Sequence, residues 1–193
     1  IMPTHVKQQW LLAEAGAGVR EIEVGSFVPA KTMPQLADTG EIVKFARTIE
    51  GLTVAALVPN FRGARDAVAA RAHKISIPFS VSATHIQRNL RRTHDEMLQE
   101  VRNISSMLKD IPAAERPYFE GSLSTAFGCS FEGKVSETAV VRFAEQLMEA
   151  GCAEVGLSDT TGYANPTQVR RLISLVRGAV GDDKLTGVHL HNT

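Results

Sequence analysis

Residues 154–190, EVGLSDTTGYANPTQVRRLISLVRGAVGDDKLTGVHL, contain the alternation that decides the fold. A short apolar run at Glu154–Leu157 predicts a strand, and a second run at Leu185–Leu190 predicts another. Between them, Asn165-Pro166 predicts the start of a helix, because asparagine favours the N-cap and proline favours the first helical turn. The pattern is strand, helix, strand, which is the unit of a parallel sheet.

The same alternation extends towards the N-terminus. Four more runs of strand length occur at Glu21–Val24, Leu52–Val58, Lys74–Phe79 and Tyr118–Ala126. Several of these runs are apolar at both odd and even positions, as in strands that are covered on both faces. Amphipathic helix patterns separate them. Regular alternation of this kind predicts an α/β fold with a parallel sheet, either doubly wound or closed into a barrel.

The number of strands bears on the barrel alternative. A (β/α)8 TIM barrel has eight strands and typically ~250 residues, whereas six strand runs are visible in these 193 residues. The chain opens inside or just before a helix and ends directly on a strand. We therefore expect residues 1–193 to form a single partial TIM-barrel domain, with the first and last strands missing from the sequence.

Composition excludes several classes of function. The chain has 21 basic and 21 acidic side chains, so no net field attracts nucleic acid or an anionic membrane surface. No apolar run approaches the roughly 20 residues that span a bilayer, and the N-terminus lacks a signal-peptide pattern. Cys129 and Cys152 form no disulfide framework. We expect a cytoplasmic protein, or one of the mitochondrial matrix in a eukaryote.

Two histidines end the last predicted strand. His189 and His191 are two residues apart and therefore project to the same side of a strand, at the end where barrel enzymes place their active sites. Two imidazoles on one face suit a divalent cation, and Mg²⁺ or Mn²⁺ would need oxygen ligands as well. An isolated H-x-H is also found as a pair of ordinary strand histidines, so both interpretations stay open.

An aspartate follows the preceding predicted strand. Asp159 would stand at the same barrel mouth, where its carboxylate could accept a hydrogen bond from a metal-bound histidine. The alternative is a loop aspartate that turns the chain before the Asn165 cap.

Three polar residues near the first strands are further candidates. Glu23 alternates with Ile22 and Val24, so its carboxylate could face the barrel interior, where burial is costly without a partner. Ser26 and Asn60, each just past a strand, are candidate hydrogen-bonding groups for a substrate.

Other polar residues have simpler interpretations. The glycines of Ala126–Lys134 predict a flexible or tightly turning loop, from which Lys134 could meet a phosphate or carboxylate. Four histidines without partner spacing are predicted to be solvated or locally bonded: His5, His73, His85 and His94.

Six segments, taken in order, resemble one family. They are Glu23–Lys31, Met33–Gln35, Val58–Asn60, Gly128–Ser136, Ser158–Gly162 and His189–His191. Together they are similar to 3-hydroxy-3-methylglutaryl-CoA lyases, which are metal-dependent TIM-barrel enzymes. The resemblance extends over essentially the whole chain. The H-x-H and the Asp-Thr pair are shared with isopropylmalate and homocitrate synthases, which are related condensing enzymes.

The resemblance implies roles for residues of this chain. His189 and His191 match ligands of a divalent metal, Mg²⁺ or Mn²⁺, and His189 also lies close to the reacting hydroxyl in the family. Asp159 matches an acidic residue that supports this chemistry. The positions that line the barrel mouth and bind substrate are matched by Glu23, Ser26, Asn60 and Thr160.

The implied activity is retro-Claisen cleavage of 3-hydroxy-3-methylglutaryl-CoA to acetyl-CoA and acetoacetate, or the equivalent cleavage of a related 3-hydroxyacyl-CoA, by a homodimer. The family's Arg-Asp pair of the first strand, and an asparagine ligand and a mobile cysteine near the last strand, do not occur in this sequence. Asn192 replaces the aspartate that is usual in the lyases. Two alternatives therefore stay open: an acyl-CoA condensing synthase and a non-catalytic barrel fragment.

Overall fold

A computed structural model of the chain describes residues 1–191. Asn192, the departure noted above, lies outside the described residues. The strands are β1 (Glu21–Ser26), β2 (Thr53–Leu57), β3 (Lys74–Ser80), β4 (Tyr118–Ser124), β5 (Glu154–Ser158) and β6 (Leu185–His189). The helices are α1 (Thr4–Gly16), α2 (Thr39–Ala46), α3 (Phe61–Ala69), α4 (Ala83–Leu90), α5 (His94–Lys109), α6 (Glu137–Ala150) and α7 (Pro166–Val180). A 3-10 turn covers Pro34–Leu36.

The strand pattern predicted from the sequence is confirmed. The strands follow chain order in the sheet, β1-β2-β3-β4-β5-β6. The pairs β1–β2, β2–β3, β4–β5 and β5–β6 are parallel. A helix follows each of the first five strands, as expected for repeated βα units.

The chain divides into two compact units. The first contains Ile1–Ile77 and Ser106–Tyr118; the second contains Pro78–Ser105 and the chain from Phe119 on. In the first unit, the three central residues of β2 are buried in succession, so both faces of this strand are covered. Helix α2 packs on β1 and β2. The buried side chains there include Ile42, Val43, Val54, Ala56, Ala64 and Ala67.

The second unit carries the larger set of buried side chains. Helix α6 packs on α7 and on β5, and α7 packs on β6. The apolar spacing of α5 predicts a buried stripe that includes Met97 and Val101, and both side chains are buried. Other side chains with almost no exposure are Phe79, Ile86, Ile104, Leu123, Leu147, Leu157 and Leu172.

Helix ends follow the local signals in most cases. Thr93 and Glu96 form a capping box: Thr93 N donates to Glu96 Oε2 at 2.7 Å and Glu96 N donates to Thr93 Oγ1 at 3.2 Å. Asn165 Oδ1 accepts from Gln168 N at 3.0 Å. Ser136 occupies the N-cap position of α6, but its hydroxyl makes no capping hydrogen bond to the backbone.

One predicted helix face is wrong. The apolar spacing of α1 predicts that Val6 and Trp10 face inward, whereas Trp10 is 63% exposed and Leu11 is the buried residue of this helix. Trp10, Leu11 and Leu12 are consecutive, so the apolar residues surround the helix and periodicity singles out no face. Along residues 1–191, no helix combines the length and the apolar character needed to cross a membrane.

Candidate active site

Asp159 and His189 lie at the carboxyl ends of adjacent parallel strands. The register pairs Leu157 with Val188 and Ser158 with His189. Asp159 N donates to the carbonyl oxygen of His189 at 2.8 Å, which extends the ladder by one bond beyond β5. Strand pairing therefore places both predicted residues at one edge of the sheet, where α/β proteins carry their sites.

The two predicted metal ligands are neighbours. The ring centroids of His189 and His191 are 4.8 Å apart, and the ring planes are inclined by 77°. Both residues are exposed. Imidazole nitrogens are common ligands of divalent metals, so this pair fits two positions of a cation site. Within residues 1–191, no group of three or more His, Cys, Asp or Glu side chains is arranged to hold a metal ion.

The Asp159 carboxylate organises the loop that follows β5. Asp159 is only 2% exposed. Its Oδ1 accepts from Tyr163 N at 2.9 Å and its Oδ2 accepts from Ala164 N at 3.2 Å. Gly162 N donates to the Asp159 carbonyl at 3.2 Å. These bonds correspond to the alternative interpretation, in which the aspartate turns the chain before the Asn165 cap.

Thr160 connects this loop to the end of β4. Its Oγ1 accepts from Thr125 N at 2.8 Å, and Thr125 Oγ1 in turn accepts from Ser82 N at 3.1 Å. Thr125 has a φ of 58°, an uncommon conformation for a β-branched residue. The hydroxyl groups of two threonines therefore link the carboxyl ends of β3, β4 and β5.

The glycine-rich segment after β4 is a tight turn. Cys129 and Gly133 exchange two backbone hydrogen bonds, of 2.8 and 2.7 Å. The Tyr163 ring covers Gly128 so closely that a Cβ at Gly128 would lie 2.6 Å from Tyr163 Cδ2. Of the two predicted forms of this loop, the tightly turning one is confirmed.

Glu132, at the tip of this turn, binds the N-terminus of α4. Its Oε1 accepts from Thr84 N at 2.6 Å. Burial raises the pKa of the Glu132 carboxyl, but the hydrogen bonds from Thr84 and Ser82, together with the charge of His94, outweigh burial and lower it. This contact was not predicted, because the two residues are 48 positions apart and carry no joint motif.

Of the remaining histidines, His85 is bonded locally, as predicted, whereas His94 and His73 bond to residues 14 and 19 positions away. His85 Nδ1 lies 2.7 Å from Ser80 Oγ, and His94 Nε2 donates to the Ser80 carbonyl at 2.9 Å. His73 Nδ1 accepts from Val54 N at 3.0 Å. Burial lowers the pKa of His85, while the Glu132 carboxylate acts in the opposite direction.

Lys134 lines a groove between the first turns of α6 and α7. The groove has a volume of about 780 Å³. Arg171 Nη2 donates to Glu137 Oε1 at 2.6 Å and joins the two helices at this point. The sequence alone carried no signal for this ion pair, since its partners are 34 residues apart.

In the first unit, Glu23 is not buried. It is exposed on β1, the first strand of the sheet order, and its Oε2 accepts from Ser76 Oγ at 2.7 Å. The cost of burying a carboxylate therefore does not apply to it. By contrast, the hydroxyl oxygen of Ser26 is buried and has no hydrogen-bond partner among residues 1–191.

Asn60 caps helix α3. Its Oδ1 accepts from Gly63 N at 3.0 Å. Asn60 also lines a cavity of about 500 Å³ together with Phe27, Pro29 and Thr39. The predicted residues thus form two sets: Glu23, Ser26 and Asn60 belong to the first unit, and Asp159, Thr160, His189 and His191 belong to the second.

A family model described as HMGL-like matches residues 1–193. The chain belongs to the HMGL-like family. The relationship predicted from the sequence motifs is therefore confirmed. The predicted fold class is also confirmed: the chain is part of a TIM barrel. A solved HMG-CoA lyase of Acinetobacter baumannii superposes on it with a TM-score of 0.88 at 35% identity. That match covers 99% of this chain and 61% of the solved one.

Curated relatives point to the same enzymes. The mitochondrial hydroxymethylglutaryl-CoA lyase of Bos taurus is 33% identical over 193 residues, which are 100% of this chain and 58% of the relative. The hydroxymethylglutaryl-CoA lyase of Bacillus subtilis is 32% identical over 190 residues, which are 98% of this chain and 62% of the relative. The chain therefore spans less than two thirds of the length of these relatives.

Proposed function

We propose that the protein is a divalent-metal-dependent carbon–carbon lyase that cleaves 3-hydroxy-3-methylglutaryl-CoA, or a related 3-hydroxyacyl-CoA, to acetyl-CoA and acetoacetate. The observation that carries the proposal is the pair of adjacent, exposed imidazoles of His189 and His191, one strand away from Asp159. The similarity to hydroxymethylglutaryl-CoA lyases supports the reaction class. We infer one partial barrel domain for the chain, in a protein of the cytoplasm or the mitochondrial matrix.

The metal would be held by His189 and His191, with Mg²⁺ or Mn²⁺ as the cation. When bound, such an ion acts as a Lewis acid towards oxygen atoms of a substrate. The 4.8 Å separation of the two ring centroids is what supports this assignment. The His189 backbone is restrained by the bond from Asp159 N to its carbonyl oxygen, so this imidazole starts from an anchored strand end.

The cleavage itself is a proton transfer followed by bond breaking. A base beside His189 removes the proton of the substrate's tertiary hydroxyl. The oxygen electron pair forms the ketone of acetoacetate, and the electrons of the broken carbon–carbon bond pass to the enolate of acetyl-CoA. A proton added to the enolate carbon completes the reaction. We assign His189 to the side of the site on which the hydroxyl reacts.

Four residues are proposed to bind the acyl-CoA. The buried Ser26 hydroxyl has no partner within the described chain, so it retains its hydrogen-bonding capacity for a ligand. Asn60 uses Oδ1 for its cap but keeps its amide protons. Thr160 accepts a bond and keeps its hydroxyl proton. Glu23 accepts from Ser76 and keeps further acceptor sites. The solved relative from Acinetobacter baumannii is described as a complex with coenzyme A.

The test is product formation by the full-length protein. The protein is incubated with 3-hydroxy-3-methylglutaryl-CoA and Mg²⁺ or Mn²⁺, and acetoacetate and acetyl-CoA are measured. We expect both products in equal amounts, loss of activity in EDTA and recovery with added metal. The same preparation carrying His189→Ala should form neither product.

The competing function is a condensing synthase, because those enzymes share the H-x-H and the Asp-Thr pair with the lyases. It would consume acetyl-CoA together with a 2-oxo acid and leave the hydroxyacyl-CoA intact. Activity of that kind, or no metal-dependent turnover of either substrate, would refute the lyase proposal. We further propose a homodimer, which sedimentation of the same sample tests.

A further inference from the structure

We infer that Asp159 is a positioning residue that acts through Tyr163: its carboxylate holds the Tyr163 ring on Gly128 and thereby joins the loops after β4 and β5. The role in substrate binding that follows from this rests on the proposed function, whereas the joining of the two loops does not. Neither the motifs nor the family relationship assigns a role to Tyr163.

The contacts of the carboxylate define what it holds. Both oxygens accept backbone N–H groups, one from Tyr163 at 2.9 Å and one from Ala164 at 3.2 Å. The carboxylate is 2% exposed, and two charge-assisted bonds to one turn leave that turn little freedom. A group buried in this way and committed to the backbone is better suited to shaping a loop than to exchanging protons with a substrate.

The ring of Tyr163 transmits this restraint to the next loop. Three of its side-chain carbons, Cδ2, Cβ and Cγ, lie where a Cβ at Gly128 would meet them, at 2.6, 3.0 and 3.3 Å. The contact uses the ring and the Cβ and does not use the phenol oxygen. Only glycine at position 128 permits this approach, and its φ of 157° also disfavours an L side chain.

Two further bonds join the same two loops, and a third reaches the loop after β4 from the first turn of α7. Thr161 Oγ1 donates to the Gly128 carbonyl at 3.1 Å, and Gln168 Nε2 donates to the Phe127 carbonyl at 3.0 Å. Thr125 N donates to Thr160 Oγ1 at 2.8 Å. The segment from Thr125 to Gly128 is therefore fixed along its length by the loop that Asp159 organises and by the start of α7.

The joined loops stand at the same sheet edge as His189. The turn that follows Gly128 carries Phe131 and Glu132, and Glu132 binds the α4 N-terminus. Release of Tyr163 would free this turn from one side while the histidine pair keeps its strand. The expected consequence is weaker acyl-CoA binding with the bond-breaking step largely preserved, because the reacting groups are not displaced.

The first test compares kinetics of the full-length protein. Asp159→Asn should raise KM for 3-hydroxy-3-methylglutaryl-CoA about tenfold, since an amide can accept only one of the two N–H bonds and one hydrogen bond to a charged group is lost. Its kcat should change much less, and the pH profile of kcat should keep its shape. Tyr163→Ala should show the same pattern, whereas Tyr163→Phe, which keeps the ring, should behave as the wild type.

Coupling decides whether Asp159 acts through Tyr163. The double variant with Asp159→Asn and Tyr163→Ala should be no worse than the more affected single variant, because both changes release the same contact. If the losses of the two single variants multiply in the double variant, the inference is wrong. It is also wrong if Asp159→Asn loses about 10² to 10⁴ in kcat and lacks one limb of the pH profile, which is what removal of a proton-transferring group produces.

A second readout does not depend on activity. Amide hydrogen exchange of residues 125–133 should accelerate in Asp159→Asn and in Tyr163→Ala. It should stay unchanged in Tyr163→Phe and in the control Asp182→Asn, at an exposed aspartate of the same unit. If the wild type has no lyase activity, the proposed function fails while exchange still decides the positioning role. Unchanged exchange in both Asp159→Asn and Tyr163→Ala would refute that role.

Discussion

Asp159 and His189 end neighbouring strands, yet their surroundings differ. The loop after β5 is organised from within: Asp159 is buried, both of its oxygens accept backbone bonds, and Tyr163 packs on Gly128. The end of β6 is open: His189 and His191 are exposed, and their rings contact each other.

The difference separates residues that shape loops from residues that are accessible to a cation or a substrate. Groups that shape loops are buried and satisfied by the chain's own backbone, so their removal acts on structure first. Groups that meet a cation or a substrate stay accessible, and their removal should act on chemistry with little effect on folding. Substitutions on the two sides of this comparison should therefore give opposite patterns of activity and stability.

The largest effect is expected at the open end. In the full-length protein, His189→Ala or His191→Ala should lower activity at least about 100-fold, because changing even the groups that support a metal ligand costs 10- to 100-fold. The free energy of unfolding should stay within about 0.5 kcal/mol of the wild type, since both side chains are exposed. His5→Ala, also at an exposed histidine, is the control for both assays. A large loss of stability would contradict the division drawn here.

The next effect is on the organised side. Gly128→Ala should lower the free energy of unfolding by about 1–3 kcal/mol, because the new methyl group meets the Tyr163 ring. Gly178→Ala is the matched change in α7, where nothing lies within 4 Å of the new Cβ. It should raise stability by about 0.5–1 kcal/mol through helix propensity. Urea denaturation measures both changes in the free energy of unfolding. If both substitutions changed it in the same direction, the Tyr163 contact would not limit the size of residue 128.

A smaller effect separates two helix starts of the second unit. Asn165→Ala removes the bond from Gln168 N and should cost about 1 kcal/mol. Ser136→Ala removes a hydroxyl that makes no backbone capping bond, so a change within about 0.5 kcal/mol is expected. Thermal unfolding of the two variants tests the contrast, which equal costs would remove.

The smallest effect is a pH dependence at His85. Burial lowers the pKa of His85 below its unfolded value of about 6.5, despite the opposing Glu132 carboxylate. Between these two pKa values the unfolded chain binds more protons, so the free energy of unfolding should fall as the pH is lowered through about 6.5. His85→Gln should flatten this dependence in denaturation curves at pH 7.5 and 5.5.

His73, whose pKa is lowered by burial and by Arg47, should contribute in the same direction. His73→Gln is therefore the companion variant, and the double variant should show the flattest dependence. A steeper loss of stability at low pH in His85→Gln would show that protonation of His85 does not destabilise the folded protein.

Much of the fold could be predicted because its signals are local. Each strand run is a short continuous segment. The capping box at Thr93 and the helix start at Asn165-Pro166 each involve residues within one helical turn. The inward face of α1 could not, because three consecutive large apolar residues leave no periodicity to follow, and packing alone selected Leu11. Alternation along β1 separates Glu23 from Ile22 and Val24, but it could not give the exposure of Glu23, which depends on the position of β1 in the sheet.

The candidate site divides in the same way. The spacing of His189 and His191 sufficed to predict that they project together, since alternate residues of a strand share a side. The backbone bonds of the Asp159 carboxylate could not be predicted, because the same sequence is compatible with a partner of a metal ligand and with a turn. The Thr125–Thr160, Thr84–Glu132 and Arg171–Glu137 bonds join residues 34 to 48 positions apart, and only strand register and helix packing bring such partners within reach.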